Sequence, residues 1–208
     1  MAKLILVRHG KSEWNKTGQW TGWTDIGLTD EGVAEAHRAA DALKDITIHV
    51  AHVSELKRAK QTLSEIEKSL QKNFQTKSSK ALNERHYGVY TGKNKWEVKK
   101  EIGDEKFHDL RRGWDVKIPE GESLKDVYNR VIPYFEKHIK PEIDSGKNVL
   151  VVAHGNSLRA LVKHLEKISD TAICDVELGT GEAHCYTFAD GTLTGKEVRA
   201  VNENKKTV

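Results

Sequence analysis

The chain has 208 residues, of which 31% are charged and 37% are hydrophobic, a composition typical of a soluble globular protein. The net charge of +3 is too balanced to indicate a nucleic-acid or anionic-membrane partner. No apolar stretch approaches the length of a membrane span or follows a signal-peptide pattern. The two cysteines, Cys174 and Cys185, lack metal-ligand spacing and are interpreted as reduced thiols of a cytoplasmic protein.

The first predicted element is a buried strand that stops at a His-Gly pair. The apolar run from Leu4 to Val7 precedes Arg8-His9-Gly10, and such a run is typical of a parallel-sheet strand covered on both faces. The polar segment from Lys11 to Leu28 is predicted to be a long loop, and long structured loops are usually functional.

Helices and a second strand follow. Thr29 is predicted to cap a helix whose apolar stripe reaches Leu43, and the run from Ile46 to Val53 is predicted to be a strand. Ser54 is predicted to cap the next helix. The segment from Ala81 to Thr91 is predicted to be irregular or a short strand.

The middle of the chain is predicted to be mainly helical. Asn94 to Arg112 forms a helical pattern interrupted at Ile102-Gly103. Ser123, with Asp126 in the capping-box position, begins another helix. Pro133 must bend that helix, because an interior proline removes a backbone donor and clashes one turn back.

The remaining predicted elements are a strand, a helix and a hairpin: Val149 to Ala153, Ser157 to Glu166, and His184 to Phe188 with Leu193 to Val198 around Ala189-Asp190-Gly191. Strands alternating with helices indicate an α/β fold with a mainly parallel central sheet flanked by helices on both faces. We interpret residues 1–208 as a single domain whose C-terminal tail, from about residue 199 to 208, is mobile.

Two His-Gly pairs at strand ends predict one shared site. His154-Gly155 ends the later strand just as His9-Gly10 ends the first, and ligands bind at the carboxyl ends of such strands. A nucleophilic imidazole, a second imidazole and the Arg8 guanidinium together suit a phosphoryl group. Arg58, in the first turn of a helix, adds a cation where the helix N-terminus already attracts anions.

Further charged residues extend this hypothesis. The pair Arg111-Arg112 could grip a carboxylate or phosphate bidentately, although an exposed helix end explains the pair equally well by itself. Glu84 lies in a polar loop, and one glutamate can both protonate a leaving oxygen and deprotonate an attacking one.

The segment LVRHGKSEWN, residues 6–15, resembles the signature of the histidine phosphatase superfamily. Other motifs are similar to those of the 2,3-bisphosphoglycerate-dependent phosphoglycerate mutases. These motifs are Thr21-Gly22-Trp23, Ser54 to Ala59, Asn83 to Gly88, Asn94-Lys95, Arg111-Arg112-Gly113 and Ala153 to Val162.

The resemblance implies that His9 is phosphorylated, that His154, Arg8 and Arg58 stabilise the transferring phosphoryl group, and that Glu84 moves the proton. It further implies that 2,3-bisphosphoglycerate primes His9, with neither a metal nor a nucleotide as cofactor. The implied substrate-binding residues are Arg8, His9, Gly10, Lys11, Ser12, Asn15, Thr21, Gly22, Arg58, Glu84, Arg85, His86, Tyr87, Lys95, Arg111, Arg112, Gly155 and Asn156.

The sequence departs from this family's pattern at two places. Lys11 stands where the family commonly has glutamate. The join Pro119-Glu120-Gly121-Glu122-Ser123 lacks an insertion that most of these mutases carry before Glu122-Ser123-Leu124. The shorter join predicts a short form of the enzyme. It also predicts a monomer or weak homodimer. A stable interface normally buries about 1,200–2,000 Å², and losing a segment near the subunit contacts could reduce the buried area below that range.

We therefore predict a cytoplasmic isomerase of glycolysis and gluconeogenesis that interconverts 2-phosphoglycerate and 3-phosphoglycerate, with no nucleic-acid or membrane partner. A phosphatase on the same fold is the alternative, since it would share the residues around His9. The cations Lys95, Arg111 and Arg112 favour the mutase, which must retain the glycerate. A non-catalytic binding module would be expected to have lost the nucleophile or the acid, and neither is lost.

Overall fold

The computed structural model describes residues 1–202. Within them, six strands form one sheet in the order β3-β2-β4-β1-β5-β6. The strands are β1 Ala2–Arg8, β2 Val50–Ser54, β3 Gln75–Ser79, β4 Val149–Ala153, β5 Ala183–Ala189 and β6 Thr192–Arg199.

The sheet is mainly parallel. β1 pairs with β4, β4 with β2 and β2 with β3 in parallel, while β5 and β6 continue the sheet antiparallel beyond β1. The predicted α/β fold class is confirmed, and so is the closing hairpin, whose turn lies at Asp190-Gly191.

Helices cover both faces of the sheet. They are α1 Glu13–Lys16, α2 Asp30–Leu43, α3 Lys57–Leu70, α4 Lys95–Ile102, α5 Asp104–Arg112, α6 Leu124–Tyr134, α7 Lys140–Asp144 and α8 Gly155–Leu165. Leu4 and Leu6 of β1 face the core shared with α6 and α8, whereas Ile5 and Val7 face the core shared with α2 and α3. The central strand is therefore buried on both sides, as its continuous apolar run predicts.

The strand predictions were wrong at two places. β2 begins at Val50 and not at Ile46. β3 was not predicted, because its sequence QTKSS is polar and four of its five residues are exposed. An edge strand of this kind carries no apolar run or alternation for a sequence pattern to detect.

The loop and cap predictions also need correction. The segment predicted as a loop from Lys11 to Leu28 contains the short helix α1. Ser54 is the last residue of β2, and the N-cap of α3 is Leu56. The Ser54 hydroxyl accepts the Leu56 N–H at 3.2 Å and donates to Asn83 Oδ1 at 2.8 Å, so it anchors a loop in place of capping the helix.

Other predicted helix boundaries are confirmed. Thr29 caps α2, Asn94 caps α4, and Ser123 forms a capping box with Asp126 at the start of α6. Pro133 lies inside α6, and a π-helical turn, Phe135–Ile139, follows before α7.

The last described residues pack against the body of the protein. Arg199 ends β6, and the Asn202 N–H donates to Glu182 Oε1 at 3.2 Å. The rest of the predicted mobile tail, residues 203–208, lies outside the described residues. None of the helices in the described part of the chain has both the length and the apolar character that a membrane span requires.

Candidate active site

The two His-Gly pairs meet at one edge of the sheet. β1 and β4 are parallel neighbours, and Arg8 at the end of β1 pairs with Ala153 at the end of β4. The His9 and His154 rings that follow have centroids 4.9 Å apart and planes inclined at 59°. The sheet topology therefore brings the two predicted histidines together.

His9 is buried as a neutral imidazole, which is the protonation state that a nucleophile needs. Its Nδ1 lies 2.7 Å from Gly10 O, so this nitrogen carries the proton, and Arg58 Nε donates to His9 Nε2 at 3.3 Å. Burial, together with the nearby charges of Arg58 and Arg8, holds the pKa of His9 well below its ordinary value. The ring is therefore neutral at neutral pH, with the Nε2 lone pair directed toward Arg58.

His154 is fully buried beside it. Its Nε2 lies 2.7 Å from Ser54 Oγ, whose own proton goes to Asn83, so His154 Nε2–H donates. Nδ1 of His154 has no hydrogen-bond partner among the described residues. Burial and the charge of Arg58 lower the pKa of His154 well below its ordinary value, so this ring is also neutral.

Arg58 connects the nucleophile to the Gly- and Trp-rich loop. It lies in the first turn of α3 and is 1% exposed. Its Nη2 donates to Gly22 O at 2.8 Å and its Nη1 to Thr24 O at 3.1 Å. Burial lowers the pKa of Arg58 to about 10, so the guanidinium remains charged at neutral pH.

Arg8 adds a second guanidinium whose charge also lowers the pKa of His9. Its Nη1 donates to Leu178 O at 2.6 Å. Its Nε is buried and has no hydrogen-bond partner within the described part of the chain. A buried N–H without a partner is costly, which fits a position where a bound anion supplies the acceptor.

Glu84 is held by main-chain and side-chain donors. Its Oε1 accepts the N–H groups of Arg85 and Asn156 at 2.8 and 3.1 Å. Its carbonyl oxygen accepts Trp23 Nε1 at 2.6 Å and Arg130 Nη2 at 2.9 Å. These bonds fix the carboxylate at the cavity wall, where a proton donor and acceptor is required.

A second group of cations lies on α4 and α5. Lys95 is 7% exposed, and its ammonium lies 5.8 Å from the centre of a Trp20 ring. Burial and the charges of Arg111 and Arg8 lower the pKa of Lys95 to about 7. Arg112 Nη2 pairs with Glu177 Oε1 at 2.8 Å. This group is referred to below as the distal cations, Lys95, Arg111 and Arg112.

These groups, apart from His154, line one cavity of about 650 Å³, a volume that includes its open mouth. The lining residues are Arg8, His9, Asn15, Gln19, Trp20, Thr21, Gly22, Arg58, Glu84, Tyr87, Lys95, Arg111, Arg112, Gly155, Asn156, Arg159 and Glu177. The arrangement offers a neutral imidazole nucleophile, a carboxylate and two sets of cations, one from β1 and α3 and one from α4 and α5. It suits transfer of a phosphoryl group on a substrate with a second anionic group.

Residues 4–203 match the family model of the histidine phosphatase superfamily, branch 1. The chain belongs to the histidine phosphatase superfamily. The name agrees with the site, since a buried histidine stands where the phosphoryl acceptor of such an enzyme is needed.

Several curated relatives of this chain carry the name 2,3-bisphosphoglycerate-dependent phosphoglycerate mutase. The relative from Afipia carboxidovorans is 48% identical over 197 residues, which cover 93% of this chain and 95% of the relative. The relative from Zymomonas mobilis is 44% identical over 230 residues, covering 98% of this chain and 100% of the relative.

Solved structures share the fold at lower identity. YhfR of Bacillus stearothermophilus superposes with a TM-score of 0.82 at 22% identity, covering 93% of this chain and 95% of that one. A mycobacterial glucosyl-3-phosphoglycerate phosphatase complexed with VO3 gives 0.80 at 21% identity, covering 95% and 97%. These likenesses show the fold of the chain.

Three predicted substrate-binding residues beside His9 do not line the cavity. The Gly10 N–H donates to Thr62 Oγ1 at 3.0 Å. The Lys11 ammonium pairs with Glu31 at 2.8 Å. Ser12 is buried as the N-cap of α1. Their side chains or amides are engaged with other parts of the protein, and their role in substrate binding stays a prediction.

Arg85 and His86 contact the join between α5 and α6 and do not line the cavity, so their role in substrate binding stays a prediction. The fully buried Arg85 guanidinium donates to three main-chain oxygens, those of Leu110, Val116 and Glu122. The His86 N–H donates to Glu122 Oε2 at 2.8 Å. Both residues therefore hold the loop that carries Glu84.

Four lining residues were not predicted: Gln19, Trp20, Arg159 and Glu177. Trp20 adjoins the predicted Thr21-Gly22, and Arg159 lies in the same motif as His154, so neighbouring signals existed for both. Arg159 is buried and donates to Asn156 Oδ1 at 3.0 Å and Arg112 O at 2.8 Å. No sequence motif marks Glu177.

Proposed function

We propose that this protein is a 2,3-bisphosphoglycerate-dependent phosphoglycerate mutase that acts in glycolysis and gluconeogenesis in the cytoplasm. The observation that carries the proposal is the presence of two cationic groups in one cavity. Arg8 and Arg58 both act on the charge of His9, and the distal cations line the same cavity from α4 and α5. A phosphatase needs only the first group, whereas a mutase must also retain the glycerate between two transfers. The names of the curated relatives support the same choice.

The residues present fit a bisphosphorylated primer. Arg8 Nε has no partner among the described residues, and the distal cations offer a second anion position. When bound, 2,3-bisphosphoglycerate supplies the phosphoryl group that primes His9. The described residues contain no group of three or more His, Cys, Asp or Glu side chains that could hold a metal ion.

His9 Nε2 is the atom that would carry the phosphoryl group, because Nδ1 is occupied by Gly10 O. During transfer to a phosphoglycerate, the substrate hydroxyl oxygen bonds to phosphorus as the bond from phosphorus to Nε2 breaks. Glu84 accepts the hydroxyl proton, and the electron pair of the broken bond returns to Nε2. Arg8 and Arg58 neutralise the charge on the phosphoryl oxygens.

The return transfer uses the same groups in reverse. His9 Nε2 attacks the other phosphoryl group, and Glu84 gives its proton to the oxygen that leaves. His154 lies beside His9 with a neutral ring, so it adds no competing positive charge next to the nucleophile. The distal cations hold the carboxylate while the ligand reorients.

One assay separates the mutase from the phosphatase. The protein is incubated with 3-phosphoglycerate and a trace of 2,3-bisphosphoglycerate, and 2-phosphoglycerate and free phosphate are both measured. We expect 2-phosphoglycerate to form many times faster than phosphate, and His9→Ala to abolish it. His37→Ala is the control, because His37 is exposed on α2. Rapid phosphate release without 2-phosphoglycerate would contradict the proposal.

We also infer that the chain is a short form of the mutase. Its alignment with the Zymomonas mobilis relative spans 230 residues, more than the 208 of this chain, so that relative has residues that this chain lacks. Here the join from Pro119 to Glu122 packs on the Glu84 loop. Gly88 has φ +44°, and an added Cβ would strike Pro119 O. The close approach would therefore exclude a side chain at this position.

A further inference from the structure

One acidic side chain at the cavity, Glu177, sits among the distal cations. It lies between a 3-10 turn, Ala172–Asp175, and β5. Glu177 Oε1 is 2.8 Å from Arg112 Nη2, and the two side chains are 31% and 20% exposed. The cation that should hold the distal anionic group of a substrate is thus already paired with a carboxylate of the protein.

The neighbouring residue ties the same segment to the transfer site. Leu178 O accepts a hydrogen bond from Arg8 Nη1 at 2.6 Å. The consecutive residues Glu177 and Leu178 therefore contact Arg112 of the distal cations and Arg8 beside His9. The charge of Glu177 also partly offsets the lowering of the Arg111 pKa that burial and Arg112 cause. Glu177 therefore balances the mutual repulsion of Arg111 and Arg112 when the cavity holds no anion.

We infer that the Glu177 carboxylate binds Arg112 at the position that the second anionic group of a substrate takes. A ligand must therefore carry such a group to displace Glu177. This inference rests on the proposed function and deepens it by naming a residue that determines specificity. A phosphate ester with a neutral tail leaves the Glu177–Arg112 pair intact and gains nothing from Arg112. A phosphoglycerate exchanges its own carboxylate for that of Glu177.

The expected size of the effect follows from the exposure of the pair. Breaking an ion pair this accessible to water changes a binding constant by at most about fivefold. Displacing Glu177 therefore weakens phosphoglycerate binding by about two- to fivefold, which an anionic ligand can tolerate.

The test compares two ligands on matched variants by titration calorimetry. The ligands are 3-phosphoglycerate and glycerol 3-phosphate, which has a hydroxymethyl group in place of the carboxylate. Glu177→Gln removes the displaced charge. Glu65→Gln removes an equal charge from a surface pair with Lys68, outside the cavity. We expect Glu177→Gln to bind 3-phosphoglycerate about two- to fivefold more tightly and glycerol 3-phosphate within about 1.5-fold of wild type, with Glu65→Gln unchanged for both.

A second comparison isolates the contact itself. In an Arg112→Ala background, Glu177→Gln should no longer change the preference for 3-phosphoglycerate over glycerol 3-phosphate, because the pair is already broken. Equal tightening of both ligands, unchanged binding, or weaker binding of 3-phosphoglycerate would overturn the role of Glu177. Failure of the wild type to bind 3-phosphoglycerate would instead overturn the proposed function, and this inference with it.

Discussion

Replacing Lys95 with glutamine should reduce the number of protons that the enzyme takes up when it binds substrate. Burial and the charges of Arg111 and Arg8 lower the pKa of Lys95 to about 7 in the unliganded protein. An anionic ligand beside the ammonium favours its charged form and raises that pKa again. Substrate binding and protonation of Lys95 are therefore linked.

The magnitude follows from the pKa. With a value of about 7, roughly a tenth of Lys95 is charged at pH 8, so binding takes up about 0.9 proton at that site. At pH 6 most of Lys95 is already charged, and the uptake there falls to about 0.1 proton. The same linkage weakens binding about fivefold between pH 7 and pH 8, because less of the unliganded protein carries the ammonium.

Titration calorimetry of 3-phosphoglycerate in two buffers of different ionisation enthalpy measures this uptake. His9 and His154 also have lowered pKa values and can take up protons near the phosphate. The informative quantity is therefore the difference between wild type and Lys95→Gln at pH 8. At pH 8 we expect the variant to take up about 0.9 proton fewer per bound ligand than wild type. At pH 6 we expect almost no difference between the two proteins.

Equal proton uptake by wild type and Lys95→Gln at pH 8 would refute the reasoning. So would a wild-type affinity for 3-phosphoglycerate that is constant from pH 7 to pH 8. Either result would mean that Lys95 keeps its charge in the unliganded protein despite its burial.

Four further outcomes are expected. Glu84→Gln should lower kcat by about 10²–10⁴-fold with KM little changed, since the amide cannot exchange a proton; steady-state rates within about threefold of wild type would exclude the role. Arg111→Ala should reduce mutase flux more than hydrolysis of 2,3-bisphosphoglycerate, and parallel losses would count against a distal role. Leu6→Ala, in the fully buried centre of β1, should cost about 2–5 kcal/mol in urea unfolding, and a loss below about 1 kcal/mol would be inconsistent with that burial. We propose a monomer or weak dimer, which light scattering at several concentrations checks; a tetramer mass at every concentration would contradict it.

The central part of the site was predictable because its signals are local. The runs that form β1 and β4 are apolar, and each ends at a His-Gly pair. Parallel strands place their carboxyl ends at one edge, so the meeting of His9 and His154 follows from the fold class. The bonds between Arg58 and His9 and between His154 and Ser54 could not be predicted, because these partners are distant in sequence.

Other features depend on tertiary contacts that leave no local pattern. β3 is a strand because β2 offers it an open edge, and not because its own polar sequence favours one. Glu177 is one of two glutamates in the irregular segment 176–182, and its 2.8 Å contact with Arg112 distinguishes it from a surface residue. Arg85 belongs to a predicted motif, yet its guanidinium binds main-chain oxygens away from the cavity.

The choice of cation at each position follows from the cost of burial. Burial of Arg58 lowers its pKa to about 10, and the guanidinium still carries its charge at pH 7. Burial and nearby charges lower the pKa of Lys95 from 10.5 to about 7, and that ammonium is then only partly charged. A lysine in place of Arg58 would lose charge beside the phosphoryl group in the same way. Arginine is therefore required next to His9, where it also keeps the imidazole neutral, whereas the distal position tolerates a lysine whose charge returns when the anion binds.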